Sequence, residues 1–227
     1  MKKIFTFVLT LTIVFTLVAC ENGGSLENGS STAPSQTEEV SSVAEETSNL
    51  SGSAPQAGGS SRLEVEAGSN ALVVYFSWSG NTASVANEIQ AQTGAEIFEI
   101  VPENPYTDDY NTMLDIAQEE QADNARPAIA EAIENFAQYD VVYLGFPNWW
   151  GDMPMILYTF LEEYDFSGKT IAPFVTSGGS GFSNTLSTIA SMEPNATVTE
   201  GLSLGSSTAA DSGSDVTQWL SGIGLME

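Results

Sequence analysis

The chain has 227 residues, 42% of them hydrophobic, enough to bury one substantial core. Thirty Asp and Glu against five Lys and Arg give a formal net charge of −25, which excludes nucleic acid as a partner because phosphate contacts need clustered Lys and Arg. One cysteine and no histidine exclude a disulfide framework and a cysteine metal cluster.

The apolar residues are unevenly spread. Met1, Lys2 and Lys3 precede an apolar run from Ile4 to Val18, the charged and hydrophobic regions of a secretory signal, shorter than a membrane span. The run ends in Leu17, Val18, Ala19 and Cys20, which resembles the lipobox of bacterial lipoproteins. That resemblance implies a signal peptide over 1–20, lipid on Cys20, and a chain anchored to the extracytoplasmic face of a bacterial membrane. Residues 21–68 are rich in Ser, Gly, Glu, Thr and Asn. They carry too little apolar surface to offset their ordering entropy and read as a disordered tether, with a reach of roughly 35 Å. Loss of the leader leaves three basic residues against 30 acidic ones. Such a surface favours solubility or a basic protein partner.

Residues 69–227 are expected to form the folded domain. Leu72 to Phe76 is an uninterrupted apolar run of the kind found in a strand buried on both faces. A polar turn, Ser77 to Thr82, leads into a helix over Ala83 to Gln90. Glu96 to Val101 reads as a second strand, and Tyr110 to Ala122 as a helix with Leu114, Ile116 and Ala117 inward. Arg126-Pro127 opens another helical run through Ile129, Ile133 and Phe136. Asp140 to Phe146 is a third strand and Met153 to Tyr164 a helix. Lys169 to Thr176 is a fourth strand and Phe182 to Met192 a helix. Thr197 to Leu204 is a fifth strand, and Asp215 to Ile223 a closing helix. Strands separated by helical runs predict an α/β fold, a doubly wound five-stranded parallel sheet.

In such sheets ligands bind beyond the carboxyl ends of the strands, where the strand order reverses. Three loops fall there. Ser77, Trp78, Ser79, Gly80, Asn81 and Thr82 place hydroxyls and backbone N–H groups at a helix N-terminus, a cup suited to an anion. The same residue types are also ordinary N-cap formers, and their spacing matches neither GxGxxG nor GxxxxGK[ST]. Pro147, Asn148, Trp149, Trp150 and Gly151 offer a flat aromatic face, or indoles that cover the core from above. Asp152 follows, as an N-cap for the next helix. Thr176, Ser177, Gly178, Gly179, Ser180 and Gly181 offer close backbone approach and spare N–H donors. Together the loops describe a site for a phosphorylated planar heterocycle.

The order SWSGNT, GFPNWWGDMP, TSGGSGF, each after a strand, resembles the flavodoxin superfamily, in particular bacterial flavodoxin-like proteins with a GNT phosphate loop and a PxWWG loop. The resemblance covers Ala71 to Met226 and implies the sheet order 2-1-3-4-5 and non-covalent FMN. Carried over, it assigns Ser77, Ser79, Gly80, Asn81 and Thr82 to the phosphate. Pro147, Asn148, Trp149, Trp150 and Gly151 would flank the ring, and Thr176, Ser177, Gly178, Gly179 and Gly181 would line its other edge. Backbone N–H or C=O of Gly151 or its neighbours would face the ring N5. The third loop lacks an aromatic before Phe182, which leaves the second face of the ring open to substrate or partner.

No catalytic side chain is needed for pure electron transfer, and no metal is implied. The reading is therefore an FMN-binding electron-transfer protein serving a redox partner protein or a small electron acceptor. The alternatives are an FMN-dependent NAD(P)H:quinone-type oxidoreductase and a cofactor-free ligand-binding lipoprotein.

Overall fold

A computed structural model describes residues 70–226. The leader with Cys20 and the tether over 21–68 lie outside the described residues. Strands β1 (Ala71–Tyr75), β2 (Glu96–Glu99), β3 (Val141–Pro147), β4 (Thr170–Ser177) and β5 (Thr197–Val198) pair in the order β2-β1-β3-β4-β5, every pair parallel. The expected order is therefore the observed one.

Side chains alternate across a strand, and β1 shows the consequence. Leu72, Val74 and Phe76 join a core with α3 (Met155–Glu163) and α4 (Thr185–Met192), through Ile156, Leu157, Phe160, Leu161 and Ile189. Val73 and Tyr75 join a second core with α1 (Asn81–Thr93) and α5 (Gly213–Gly222), through Val85, Ile89, Val216 and Leu220. Both faces of the sheet are covered by helices, as an unbroken apolar strand requires.

The fifth strand is not continuous. A sixth segment, β6 (Leu202–Gly205), also pairs parallel with β4. Thr170 faces Thr197, but Phe174 faces Leu202, so one extra residue is inserted between them and the strand bulges. Gly201 lies in that break, and a methyl there would strike the Phe182 ring. Phe182 packs on Phe146 at 6.2 Å between ring centres.

The run from Arg126 to Phe136 is not helical, contrary to the periodicity. Pro102 and Ile129 form an antiparallel bridge, with Glu103 N–H donating to Ala128 O and Ala130 N–H to Val101 O, both at 2.8 Å. Pro127 has no N–H for a helical ladder, and the 101–103 segment offers extended pairing instead. Ile129, Ile133 and Phe136 still pack on the core. Only Phe136–Gln138 makes a single 3-10 turn.

The helix α2 (Tyr110–Ala122) has the bounds its pattern predicts. Asp109 caps it, accepting from the Thr112 N–H at 2.8 Å and the Thr112 hydroxyl at 2.6 Å, and these bonds hold the Asp109 carboxyl below its ordinary pKa. Its buried residues are Met113 and Ala117, with Leu114 half-buried. Among the described residues no helix is long and apolar enough to cross a membrane.

Candidate functional site

Beyond the carboxyl ends of β1, β3 and β4 lies a cavity of about 600 Å³, within the range of roughly 300–1,000 Å³ usual for small-ligand sites. It sits where the strand order reverses between β1 and β3. Its polar lining is Ser79, Asn81, Asn148, Thr176, Ser177 and Ser206. Its apolar lining combines Trp78, Pro147, Trp149 and Trp150 with Tyr110, Met113, Leu114 and Ala117 of α2. Gly178 completes it, and a methyl added there would meet no protein atom. Among the described residues no Asp, Glu, Lys or Arg lines the cavity.

The β1 loop is built for a helix start. Gly80 adopts φ 85° at the N-cap of α1 and supplies no side-chain cap. The first N–H groups of a helix have no intrahelical acceptor, so those of Gly80, Asn81 and Thr82 are left at its positive end. The Ala83 N–H is taken by Ser77 Oγ at 3.2 Å. Asn81 Nδ2 donates to Ser79 Oγ at 3.1 Å. Thr82 and Thr176, both buried, join their hydroxyls at 2.8 Å and tie this loop to the end of β4.

The two adjacent tryptophans part ways. Trp150 and Gly151 both have positive φ, 53° and 83°, as the central residues of a reversing turn of type I′. That turn is closed by Trp149 N–H to Asp152 O at 2.8 Å and Asp152 N–H to Trp149 O at 3.0 Å. Trp149 packs edge-on against Phe76 and Tyr106, at 5.4 and 5.8 Å. Trp150 is 52% exposed, and its indole N–H donates to Leu114 O at 3.2 Å. Trp78 similarly donates to Thr107 O at 2.8 Å and lies 6.1 Å from the Tyr110 ring. Two indoles from separate loops thus hold the N-terminal half of α2 over the cavity. Gln121 adds a bond to Trp149 O at 2.7 Å, and Glu120 accepts from the Tyr106 hydroxyl at 3.0 Å. Burial, with Glu120 alongside, pushes the Tyr106 phenol well up, and burial raises Glu120.

Asp152 does not cap α3, whose N-cap is Pro154. Its carboxylate accepts from its neighbour Met153 N–H and from the Tyr158 hydroxyl, both at 2.8 Å. Burial first, then this carboxylate, pushes the Tyr158 phenol up to about 12. In the β4 loop the N–H groups of Gly179 and Gly181 are not spare donors. Both donate to Ser177 Oγ, at 3.2 and 3.0 Å. The Gly151 N–H is likewise taken, by Asn148 Oδ1 at 3.0 Å, so it is not free for a ring nitrogen.

Of the residues singled out from sequence, Ser79, Asn81, Pro147, Asn148, Trp149, Trp150, Thr176, Ser177 and Gly178 line the cavity. Ser77, Gly80, Thr82, Gly151, Gly179 and Gly181 lie outside the lining and shape its loops. Sequence reasoning left Trp78 out of the cofactor set and missed the α2 face and Ser206. The signal for α2 was present in Tyr110, Met113, Leu114 and Ala117, a helical stripe that reads equally well as core.

The family model described as Flavodoxin matches residues 70–223. Among solved structures, a Bacteroides eggerthii protein described as a flavoprotein is 36% identical, with a TM-score of 0.62, covering 69% of this chain and 98% of that one. A Bacteroides uniformis counterpart is 35% identical, TM-score 0.61, covering 68% and 99%. A Lactobacillus acidophilus flavoprotein solved in complex with FMN is 25% identical, TM-score 0.53, covering 65% and 99%. No curated protein matches the chain. With its sheet order, its strand-end cavity and a family model spanning the described domain, the chain belongs to the flavodoxin family.

Proposed function

We propose that this chain holds FMN non-covalently in the strand-end cavity and transfers electrons with it, anchored through lipid on Cys20 to the extracytoplasmic face of a bacterial membrane. The observation that carries the cofactor reading is the two-sided cavity. Hydroxyls, amides and free helix N–H groups suit a phosphate ester, and indoles with the α2 face suit a flat apolar ring. Ser79, Asn81 and the Gly80–Thr82 backbone would hold the phosphate. Trp150, Trp149 and Trp78 would flank the ring, and Gly178 would let the ring approach the backbone. The complex of the Lactobacillus acidophilus relative with FMN supports the same ligand.

Bound there, FMN supplies reversible one- and two-electron transfer. The chain's residues bind and orient it and exclude water from one side. Among the described residues no Asp, Glu, Lys or Arg lines the cavity, so none of these is placed there to relay a proton. Electron transfer to a redox partner protein or a small acceptor is favoured over direct use of a nicotinamide dinucleotide. The two described cations are both committed elsewhere. Arg126 makes a bidentate pair with Glu162 at 2.8 and 2.7 Å, and Lys169 donates to the carbonyls of Ala137 and Tyr139. Neither lines the cavity to grip a pyrophosphate. The anchor rests on the Leu17-Val18-Ala19-Cys20 pattern.

The test is the absorption spectrum of the purified protein after FMN loading and gel filtration. Retained flavin bands with quenched fluorescence are expected, and a colourless protein would refute the reading. Failure of added NADH or NADPH to bleach those bands is expected as well. For the anchor, Cys20→Ser should shift the chain from the membrane to the soluble fraction.

A further inference from the structure

We propose that Asn148 is a positioning residue: it fixes the spacing between the β3 and β4 loops, and through them the affinity and potential of the flavin, rather than offering its own side-chain donor to the cofactor. The inference rests on the FMN reading above.

Every polar atom of the Asn148 side chain is engaged within the protein. Nδ2 donates to Gly181 O at 2.8 Å and to Ser183 Oγ at 3.1 Å, across to the β4 loop. Oδ1 accepts from the Gly151 N–H at 3.0 Å, inside the β3 loop. The Asn148 backbone N–H donates to Thr176 O at 2.9 Å. An amide side chain has two N–H donors and one carbonyl, and both donors and the carbonyl are used here. A donor bond from Nδ2 to the ring would cost one of these ties.

The tied segments are ones with conformational freedom to lose. Gly151, Gly181 and Ser183 all have positive φ, 83°, 57° and 50°, and for the serine that is an unfavourable region. Without Asn148, the turn carrying Trp150 and the turn carrying Gly178 are joined mainly by backbone pairing at their roots. One side chain therefore sets the gap between the aromatic wall and the glycine edge. Asp and Ser lack the pair of donors, so neither reproduces both ties.

The test is a double-mutant cycle on FMN affinity, read by flavin fluorescence on the purified protein, with visible circular dichroism of the bound flavin and its midpoint potential. A hydrogen-bond tie of about 0.5–1.5 kcal/mol corresponds to roughly two- to tenfold in affinity. Asn148→Ala is expected to weaken FMN about tenfold and Ser183→Ala about threefold. The double variant should lose about tenfold rather than about thirtyfold, because Ser183→Ala removes a tie that Asn148→Ala already cuts. The circular dichroism band should change in Asn148→Ala. Its potential should move as well, by about 30 mV for each tenfold difference between oxidised and reduced affinity in a two-electron couple. Additive losses, or an Asn148→Ala protein with wild-type affinity, dichroism and potential, would overturn the proposal. If the wild type itself retains no FMN, the cofactor reading fails, and the flavin role of Asn148 falls with it. Thermal melts of the FMN-free variants check that each is folded.

Discussion

Helices α2 and α3 carry similar apolar stripes and bury them against different things. In α3, Ile156, Leu157, Phe160 and Leu161 are at most 1% exposed and fill the core beneath the sheet. In α2, Met113 and Ala117 are also buried, yet neither joins either core cluster, and with Leu114 they line the cavity. Side chains facing close-packed neighbours gain dispersion contacts on folding, and those facing a cavity lack partners on one side. The α3 stripe therefore stabilises the fold, while the α2 stripe is stabilised in turn by whatever fills the cavity.

The largest effect expected from this contrast is at Phe160. Phe160→Ala should cost about 3–5 kcal/mol in urea unfolding, with FMN affinity of the folded protein unchanged. The buried hydroxyl pair lies between the two cases. Thr82→Val leaves the Thr176 hydroxyl unpaired and should cost about 1–3 kcal/mol, measured the same way. Leu114→Ala sharpens the comparison. It should lower the FMN-free melting point by less than about 1 kcal/mol in equivalent stability, yet weaken FMN several-fold, because cavity-wall contacts form only with ligand. A loss on the scale of Phe160→Ala would mean that α2 is a core helix after all.

Charge supplies a smaller effect at the same wall. With −25 overall and no Lys or Arg among the described residues of the lining, FMN phosphate is expected to bind against the field of the protein. Raising ionic strength from about 0.01 M to about 0.15 M shortens the Debye length from about 30 to about 8 Å. FMN affinity should then rise a few-fold, and riboflavin affinity should barely move. Falling FMN affinity would point to a cation from outside the described residues.

The smallest effect sits on the last turn of α2. Burial raises the Glu120 pKa in the folded state, so the folded chain takes up this proton more readily than the unfolded one. Stability accordingly rises as pH falls from neutral through the raised folded value toward the ordinary one. Glu120→Gln keeps an acceptor for the Tyr106 hydroxyl. It should raise neutral-pH stability by up to about 0.5 kcal/mol and remove that pH step in urea titrations.

Much of this architecture was legible from residue pattern. Unbroken runs such as Leu72 to Phe76 mark strands covered on both sides, and the alternation of strand and helix implies the parallel sheet. The bounds of α2 follow from Asp109 at the cap and the stripe behind it. The Arg126 to Phe136 run misleads because apolar spacing reports which residues are buried, and here extended pairing with residues 101–103 buries them without a helix. The broken fifth strand is equally hidden, since the close approach of Phe182 to Gly201 in the break is a contact between separate elements.

The sequence by itself determined the fold family, the three strand-end loops and the choice of neutral donors for an anion, because these depend on local pattern and composition. Tertiary structure alone decided how neighbouring residues divide their roles. Trp149 and Trp150 are indistinguishable as letters, but at the same cavity wall a reversing turn packs one against Phe76 and leaves the other half exposed. Asn148 reads as a ligand donor until Gly151, Gly181 and Ser183 are brought to its three polar positions. Such assignments depend in part on tertiary contacts, those of Asn148 with Gly181 and Ser183 and of Trp149 with Phe76, that no spacing along the chain encodes.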